Sequence, residues 1–262
     1  MVKRVTEYGY ISPVEQESQW IHMTKGQNIA GYAVGILYIE DVFYPLMPGN
    51  VVNAYTYDFP VRMLPVVGLD IPKLMDGDES NYDKIVAAAR QLEKEGCRAI
   101  SAACGFFGRY QKRLAADTDV PVAFSSMTQI PWVKTLLKPN QKIAVLTANA
   151  ASLDDEIFDA LGILPIKDDI IIGNLRHAEQ FSAIMEDRGA FDNAIVRQEV
   201  VGTARKIVDE NPDVGAVVLE CSDMPPYAAA VQAEVGLPVW DFITLIKWLN
   251  SATAQRPYSG II

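Results

Sequence analysis

Positive charge is scarce in this chain: 23 Lys and Arg stand against 33 Asp and Glu, for a net charge of −10. That balance argues against nucleic acid and anionic membrane surfaces as partners. It leaves small anions open, because backbone N–H groups and helix N-termini can bind them. Long apolar runs are also missing. Nothing approaches bilayer-spanning length, and Met1 to Tyr8 lacks the apolar stretch of a secretory signal. Cysteine is sparse and odd in number, with three residues, which does not make a disulfide framework. Free thiols in a reducing cytoplasm are the expectation. The only histidines, His22 and His177, have no metal-ligand spacing. No glycine-rich phosphate loop appears. Neither a metal site nor a nucleotide cofactor is predicted.

What is present is an ordinary globular composition, half of it hydrophobic, enough for one large core or two moderate ones. Buried-strand patterns at 33–40, 61–67, 142–147 and 167–172 alternate with helical spacing at 81–95, 130–137, 151–161 and 193–211. Gly96 and Gly162 are placed to end helices. This alternation predicts parallel sheets covered on both faces. A Pro-, Gly- and Asn-rich segment from Tyr44 to Pro60 predicts a long loop, and loops of that length are often functional. The expected organisation is an N-terminal extension over 1–32, a first α/β lobe over 33–140, a second over 141–250 and a tail over 251–262. A helix crossing back between lobes would make the halves interdigitate. The extension, with Tyr8, Tyr10 and Trp20, is expected to pack over the core or a subunit contact. With the aromatic loop, it makes a homodimer the expected assembly.

Two cysteines repeat one pattern. Cys104 ends the apolar run from Ala99 and Cys221 ends the run from Gly215; each is followed seventeen residues later by Pro-Val, at Pro121 and Pro238. Ligands of parallel α/β sheets bind beyond the carboxyl ends of strands, where both cysteines fall. A thiol entering a helix N-terminus is expected to have a lowered pKa. A lone cysteine there is usually a small buried hydrophobe, but burial alone gives no reason for matched placement in two halves. Cys97 precedes its strand and is read as packing only. Glu220 is expected to turn away from Cys221 by strand alternation and to be structural.

Ser101-Ala-Ala-Cys104-Gly-Phe-Phe-Gly and Leu219-Glu-Cys221-Ser-Asp-Met-Pro-Pro-Tyr227 resemble the two cysteine motifs of the aspartate/glutamate/hydantoin racemase superfamily, over roughly Ala33 to Leu249. The resemblance implies two pseudo-symmetric lobes with the active site in the cleft between them. It also implies cofactor-independent racemisation or epimerisation of an amino acid or related carboxylate. One cysteine thiolate would take the α-proton and the opposite thiol would return one. Carboxylate-holding groups carry over to Gly105, Phe106 and Ser222, with loop positions near Asn50, Asn53, Asn149 and Ser152.

Two departures bear on the substrate. Gly105-Phe106 replaces the Asn-Thr of many amino-acid racemases, implying a less polar or differently shaped substrate. Ser222-Asp223 stands where the resembled enzymes often have Thr and then His or Glu; Asp223 either binds a substrate ammonium or caps the following helix. Tyr227 sits at the cleft mouth or anchors a helix. Asn50 and Asn53 lie where asparagine also serves turns. Other readings are a maleate-isomerase-like cis–trans isomerase of an unsaturated diacid, and a non-catalytic small-carboxylate binder on the same scaffold.

Overall fold

A computed structural model describes residues 23, 25–256, 258 and 260–262. The expected packing of the N-terminal extension, with Tyr8, Tyr10, Trp20 and His22, lies outside the described residues.

The strands are β1 (Val34–Ile39), β2 (Val61–Val66), β3 (Ala99–Ala102), β4 (Val122–Ala123), β5 (Lys142–Thr147), β6 (Ile170–Asn174), β7 (Val214–Leu219) and β8 (Val239–Trp240). They form two four-stranded sheets, ordered β2-β1-β3-β4 and β6-β5-β7-β8, and every pairing is parallel. The second half repeats the first, strand for strand. Helices α1 (Ile71–Asp76), α2 (Tyr82–Lys94), α3 (Gln111–Asp117), α4 (Ile130–Leu136), α5 (Asp155–Ala160), α6 (Ser182–Met185), α7 (Asn193–Glu210), α8 (Ala228–Val235) and α9 (Phe242–Thr253) complete the α/β fold. Among the described residues no helix is long and apolar enough to cross a membrane.

Local chemistry explains two differences from the expected elements. The helix expected over 151–161 splits into a short 3-10 turn (Ala150–Ser152) and α5. The split comes from Asp154, which caps α5 by accepting from the amides of Glu156 and Ile157. The strand expected from Lys167 starts at Ile170, because Leu164-Pro165 opens a 3-10 turn that runs to Asp169.

The halves interlock. One core cluster joins Ile100, Phe106 and Phe107 of the first half to Ile143, Val145, Ile157, Ala216 and Val218 of the second. Helix α9, late in the sequence, buries Phe242, Leu245, Ile246 and Leu249 against Val34, Ile36 and Ala99 of the first sheet. In each sheet the chain leaves the first strand toward one edge and returns to the other side for the third. The loops after β1 and β3, and after β5 and β7, therefore diverge and open a crevice at the carboxyl ends. Both cysteine motifs lie there.

Candidate active site

Cys104 follows β3 and caps a six-residue 3-10 helix, Gly105–Tyr110, that precedes α3. The amides of Phe106 and Phe107 face its sulfur, while the Phe106 and Phe107 rings are buried in the shared core. Cys221 follows β7 and is buried. Its sulfur lies 3.6 Å from Asp223 Oδ2, and the Asp223 amide also turns toward it. Tyr44 brings the halves together, because its hydroxyl donates to Asp223 Oδ2 at 3.4 Å across the two lobes, and burial followed by the Asp223 charge holds it well above the ordinary phenol range.

The loop after β1 packs over the second cysteine motif. Gly49 adopts φ +100°, and a Cβ there would stand 2.8 Å from Pro226 Cα, so only glycine lets the loop lie on the second cysteine motif. The Val51 amide donates to Ser222 O at 3.4 Å. Buried Asn50 donates from Nδ2 to Asp223 Oδ1, and Tyr44 Oη donates to Asp223 Oδ2 at 3.4 Å. Ser222 Oγ donates to the same carboxylate oxygen at 3.4 Å. Tyr38, Tyr44, Asn50, Val52, Ala103 and Ser222 line a cavity between the motifs. Its wall includes Ala103 and Ser222, the chain neighbours of the two cysteines.

Asp223 therefore caps no helix. The following 3-10 turn (Pro225–Tyr227) and α8 have Met224 and Tyr227 at their N-cap positions, with no side-chain cap bond at either. Burial pushes Asp223 up to about 6, against the pull of the hydrogen bonds it accepts. Tyr227 anchors a helix: it is buried and donates to Asn193 Oδ1 at 2.9 Å.

The second-lobe loop forms a separate part of the rim. Asn149 Nδ2 donates to Ser152 Oγ at 2.9 Å, and the Asn149 amide donates to Thr147 Oγ1 at 3.2 Å. Asn53 closes its own loop, donating to Leu46 O and accepting from the Tyr55 amide. Among the described residues its side-chain hydrogen bonds stay within that loop.

The expected lowering of the thiol pKa values is overturned. Burial pushes Cys104 up, then the Glu220 charge, then Asp223, and the amides of Phe106 and Phe107 only partly oppose them. Burial and then Asp223 hold Cys221 well above the ordinary thiol range. A short 3-10 turn supplies too small a dipole to offset desolvation beside two carboxylates. Cys97, outside the site, is buried and pushed up to about 12 by burial.

Glu220, expected to be structural, sits where strand alternation places it. It does lie on the opposite face of β7 from Cys221, which joins Val217 and Leu219 in the second-lobe core. Yet that other face, with Ala216 and Val218, is the one packed on the first lobe. Glu220 consequently reaches across: a Cβ on Gly105 would stand 1.7 Å from its Oε1. Its Oε2 accepts from Thr147 Oγ1 at 2.7 Å, Oε1 has no hydrogen-bond partner among the described residues, and burial pushes the group up to about 7. Tyr44 and Thr147 were missed. The aromatic in the loop after β1 was the one available signal for Tyr44. Among the described residues no group of three or more His, Cys, Asp or Glu is arranged to hold a metal ion.

No protein-family model matches the chain. It is 28% identical over 243 residues to a dimethylsulfoniopropionate lyase of Durusdinium sp. clade D, covering 90% of this chain and 80% of that protein. It is 30% identical over 239 residues to dimethylsulfoniopropionate lyase 5 of Emiliania huxleyi, covering 87% of this chain but only 47% of that one. Among solved structures, allantoin racemase from Pseudomonas fluorescens superposes with a TM-score of 0.56 at 12% identity, over 87% of this chain and 99% of the other. An aspartate racemase homologue from Pyrococcus horikoshii gives 0.55 at 16%, over 86% and 100%. A cysteine-substituted arylmalonate decarboxylase in its sulfate-associated form gives 0.54 at 15%, over 86% and 96%. The fold is thus the two-lobed one of the aspartate racemase homologue and allantoin racemase. The proteins similar in sequence are named as lyases.

Proposed function

We propose that the protein is an enzyme that removes a proton α to a carboxylate with a cysteine thiolate, from a substrate carrying an onium group on its β-carbon. Proton removal then expels that group, making the protein a lyase for dimethylsulfoniopropionate or a close analogue. The observation that carries this reading is Asp223, a buried carboxylate held beside Cys221 by Tyr44, Asn50 and Ser222. A buried anion is costly unless paired, and a substrate cation at the cavity wall would pair it. The Tyr38 and Tyr44 rings in that wall suit an onium group, which aromatic faces attract. The lyase names of the similar proteins support the same substrate class.

The cation also opposes the raising of Cys221. Opposite unit charges about 4 Å apart at an effective dielectric near 20 interact by roughly 4 kcal/mol, which is about three pKa units. An onium beside Asp223 offsets the charge that weighs most on Cys221 after burial. Cys221 thiolate then takes the α-proton. The C–H electron pair becomes the new C=C bond, and the β-carbon–sulfur pair leaves with sulfur. The products are acrylate, dimethyl sulfide and a protonated Cys221.

Racemisation or epimerisation is the second reading, favoured by two thiols at matched positions of the repeat. It shares the proton abstraction and differs in the fate of the carbanion. With no leaving group on the β-carbon, the proton must return from the opposite face. NMR in D₂O with dimethylsulfoniopropionate, amino acids and α-hydroxy acids separates them. Acrylate formation identifies the lyase, and α-deuteration without elimination identifies the racemase. Neither, in protein with reduced thiols, overturns both.

A further inference from the structure

The internal repeat makes Cys104 and Cys221 equivalent in the fold, but their surroundings are not. Ala103 precedes the first cysteine and Glu220 the second. Phe106 stands two residues after the first, and Asp223 two residues after the second. Both acidic groups of the site thus come from the second lobe, and they are not placed alike. Asp223 stands behind the cavity wall, accepting hydrogen bonds from the lining residues Tyr44, Asn50 and Ser222. Glu220 is buried beneath Gly105, with Oε2 on Thr147 and Oε1, without a hydrogen-bond partner among the described residues, against the backbone of the residue after Cys104.

We propose that Glu220 is a positioning residue that holds Cys104 in its thiol form, so that two thiols equivalent by the repeat do different work: Cys221 takes the substrate proton and Cys104 stays a proton donor. The division of labour rests on the carbon-acid reading above; the coupling itself does not. A cation bound at Asp223 lies beside Cys221 and relieves it. Glu220 Oε1 lies against Gly105 and Glu220 is not among the residues that line the cavity, so its charge on Cys104 persists through binding. The order of influences agrees: after burial, Glu220 weighs most on Cys104, whereas Asp223 weighs most on Cys221. The groups facing Cys104 are Glu220 and Asp223, which raise it, and the Phe106 and Phe107 amides, which lower it; Cys221 and Tyr44 share its field.

The test is a pH titration of thiolate absorbance on the full chain carrying one thiol. In a Cys97→Ser/Cys221→Ser background, adding Glu220→Gln is expected to lower the Cys104 midpoint by at least tenfold in acidity. In a Cys97→Ser/Cys104→Ser background the same substitution is expected to move Cys221 less. An unmoved Cys104, or an equal shift of both thiols, overturns the proposal. Glutamine keeps the size and the Thr147 hydrogen bond; Glu220→Ala serves if it fails to fold. The unaltered protein gives an independent reading. Iodoacetamide labelling of Cys104, followed by peptide mass spectrometry, should rise with pH at less than unit slope while Glu220 ionises around neutrality. An unbroken unit slope there overturns the coupling. None of these needs turnover. Inactivity on every carboxylate would refute the proposed function and leave the coupling of Glu220 to Cys104 standing.

Discussion

Arg109 of the first lobe grips Asp154 of the second with both prongs of its guanidinium, Nη1 to Oδ1 at 3.0 Å and Nη2 to Oδ2 at 2.8 Å. Its side chain is only 5% exposed, against 46% for Asp154. The same guanidinium donates to Ser152 O at 2.8 Å and to Met75 O at 2.9 Å. One arginine thus ties the segment after Cys104 to the rim loop of Asn149 and Ser152. Arg109→Ala should lower stability by roughly 2–3 kcal/mol, because it removes charge-assisted bonds and leaves carbonyls unpaired. Arg109→Lys should recover little, since a point charge does not reproduce the fork. Urea denaturation of the three proteins checks both.

Gly105→Ala is expected to destabilise the protein by roughly 1–3 kcal/mol, the usual range for overpacking a buried site. The added Cβ would meet Glu220 Oε1 at 1.7 Å and the Glu220 backbone O at 2.8 Å. Combining it with Glu220→Ala should restore part of the loss and not all of it, since the backbone oxygen remains. Strict additivity in the double-mutant cycle would contradict this contact.

Stability should fall as pH rises from about 4 to 7. Glu220 at about 7 and Asp223 at about 6 lie above their unfolded values near 4. The folded protein therefore binds more protons than the unfolded chain across that window. Stability is fullest below the unfolded pKa and is lost as pH climbs through the folded one. Glu220→Gln should flatten the slope and stabilise the protein at pH 8 by roughly 2–4 kcal/mol. Melting curves at pH 5 and pH 8 read this directly, and equal slopes in both proteins would contradict it.

Asp223→Asn should raise KM for an onium carboxylate by about tenfold or more, the loss of roughly one charge-assisted contact. The same change should make Cys221 easier to alkylate, because the charge that weighs on it after burial is gone. A variant with unchanged KM would remove Asp223 from the cation site.

The two cysteines should separate by reaction type. Cys221→Ala should cut elimination by about 10³-fold or more, within the range for losing a general base. Cys104→Ala should slow elimination far less, since no proton has to return to carbon, but should abolish any racemisation. Equal losses in elimination would contradict the division of labour between the thiols.

Much of this fold is legible in the residues. Val34–Ile39, Val61–Val66 and Lys142–Thr147 stand where continuous apolar runs predict strands, and Tyr82–Lys94 and Asn193–Glu210 follow helical spacing. The elements that came out differently are set by Asp154, the cap of α5, and by Pro165 in the turn before β6. There, one cap or one proline shifts a boundary that periodicity cannot resolve. The partner of Asp223 was legible as chemistry but not as choice. Whether an aspartate caps the next helix or faces a thiol depends on where Asn50 and Tyr44 arrive, 173 and 179 residues away.

The repeat is written in the chain: strand, cysteine, helix and Pro-Val strand twice over, with each thiol at the carboxyl end of a parallel strand. Those features are local, since apolar patterning and strand alternation act over a few residues. Assembly of the lobes alone settled what each face meets. Alternation put Glu220 on the opposite side of β7 from Cys221, but only the packing of the two lobes made that side the one beneath Gly105. Burial, which raised both thiols and both acids, is likewise a property of the assembled lobes, because desolvation depends on everything packed around a group and not on its neighbours in the chain.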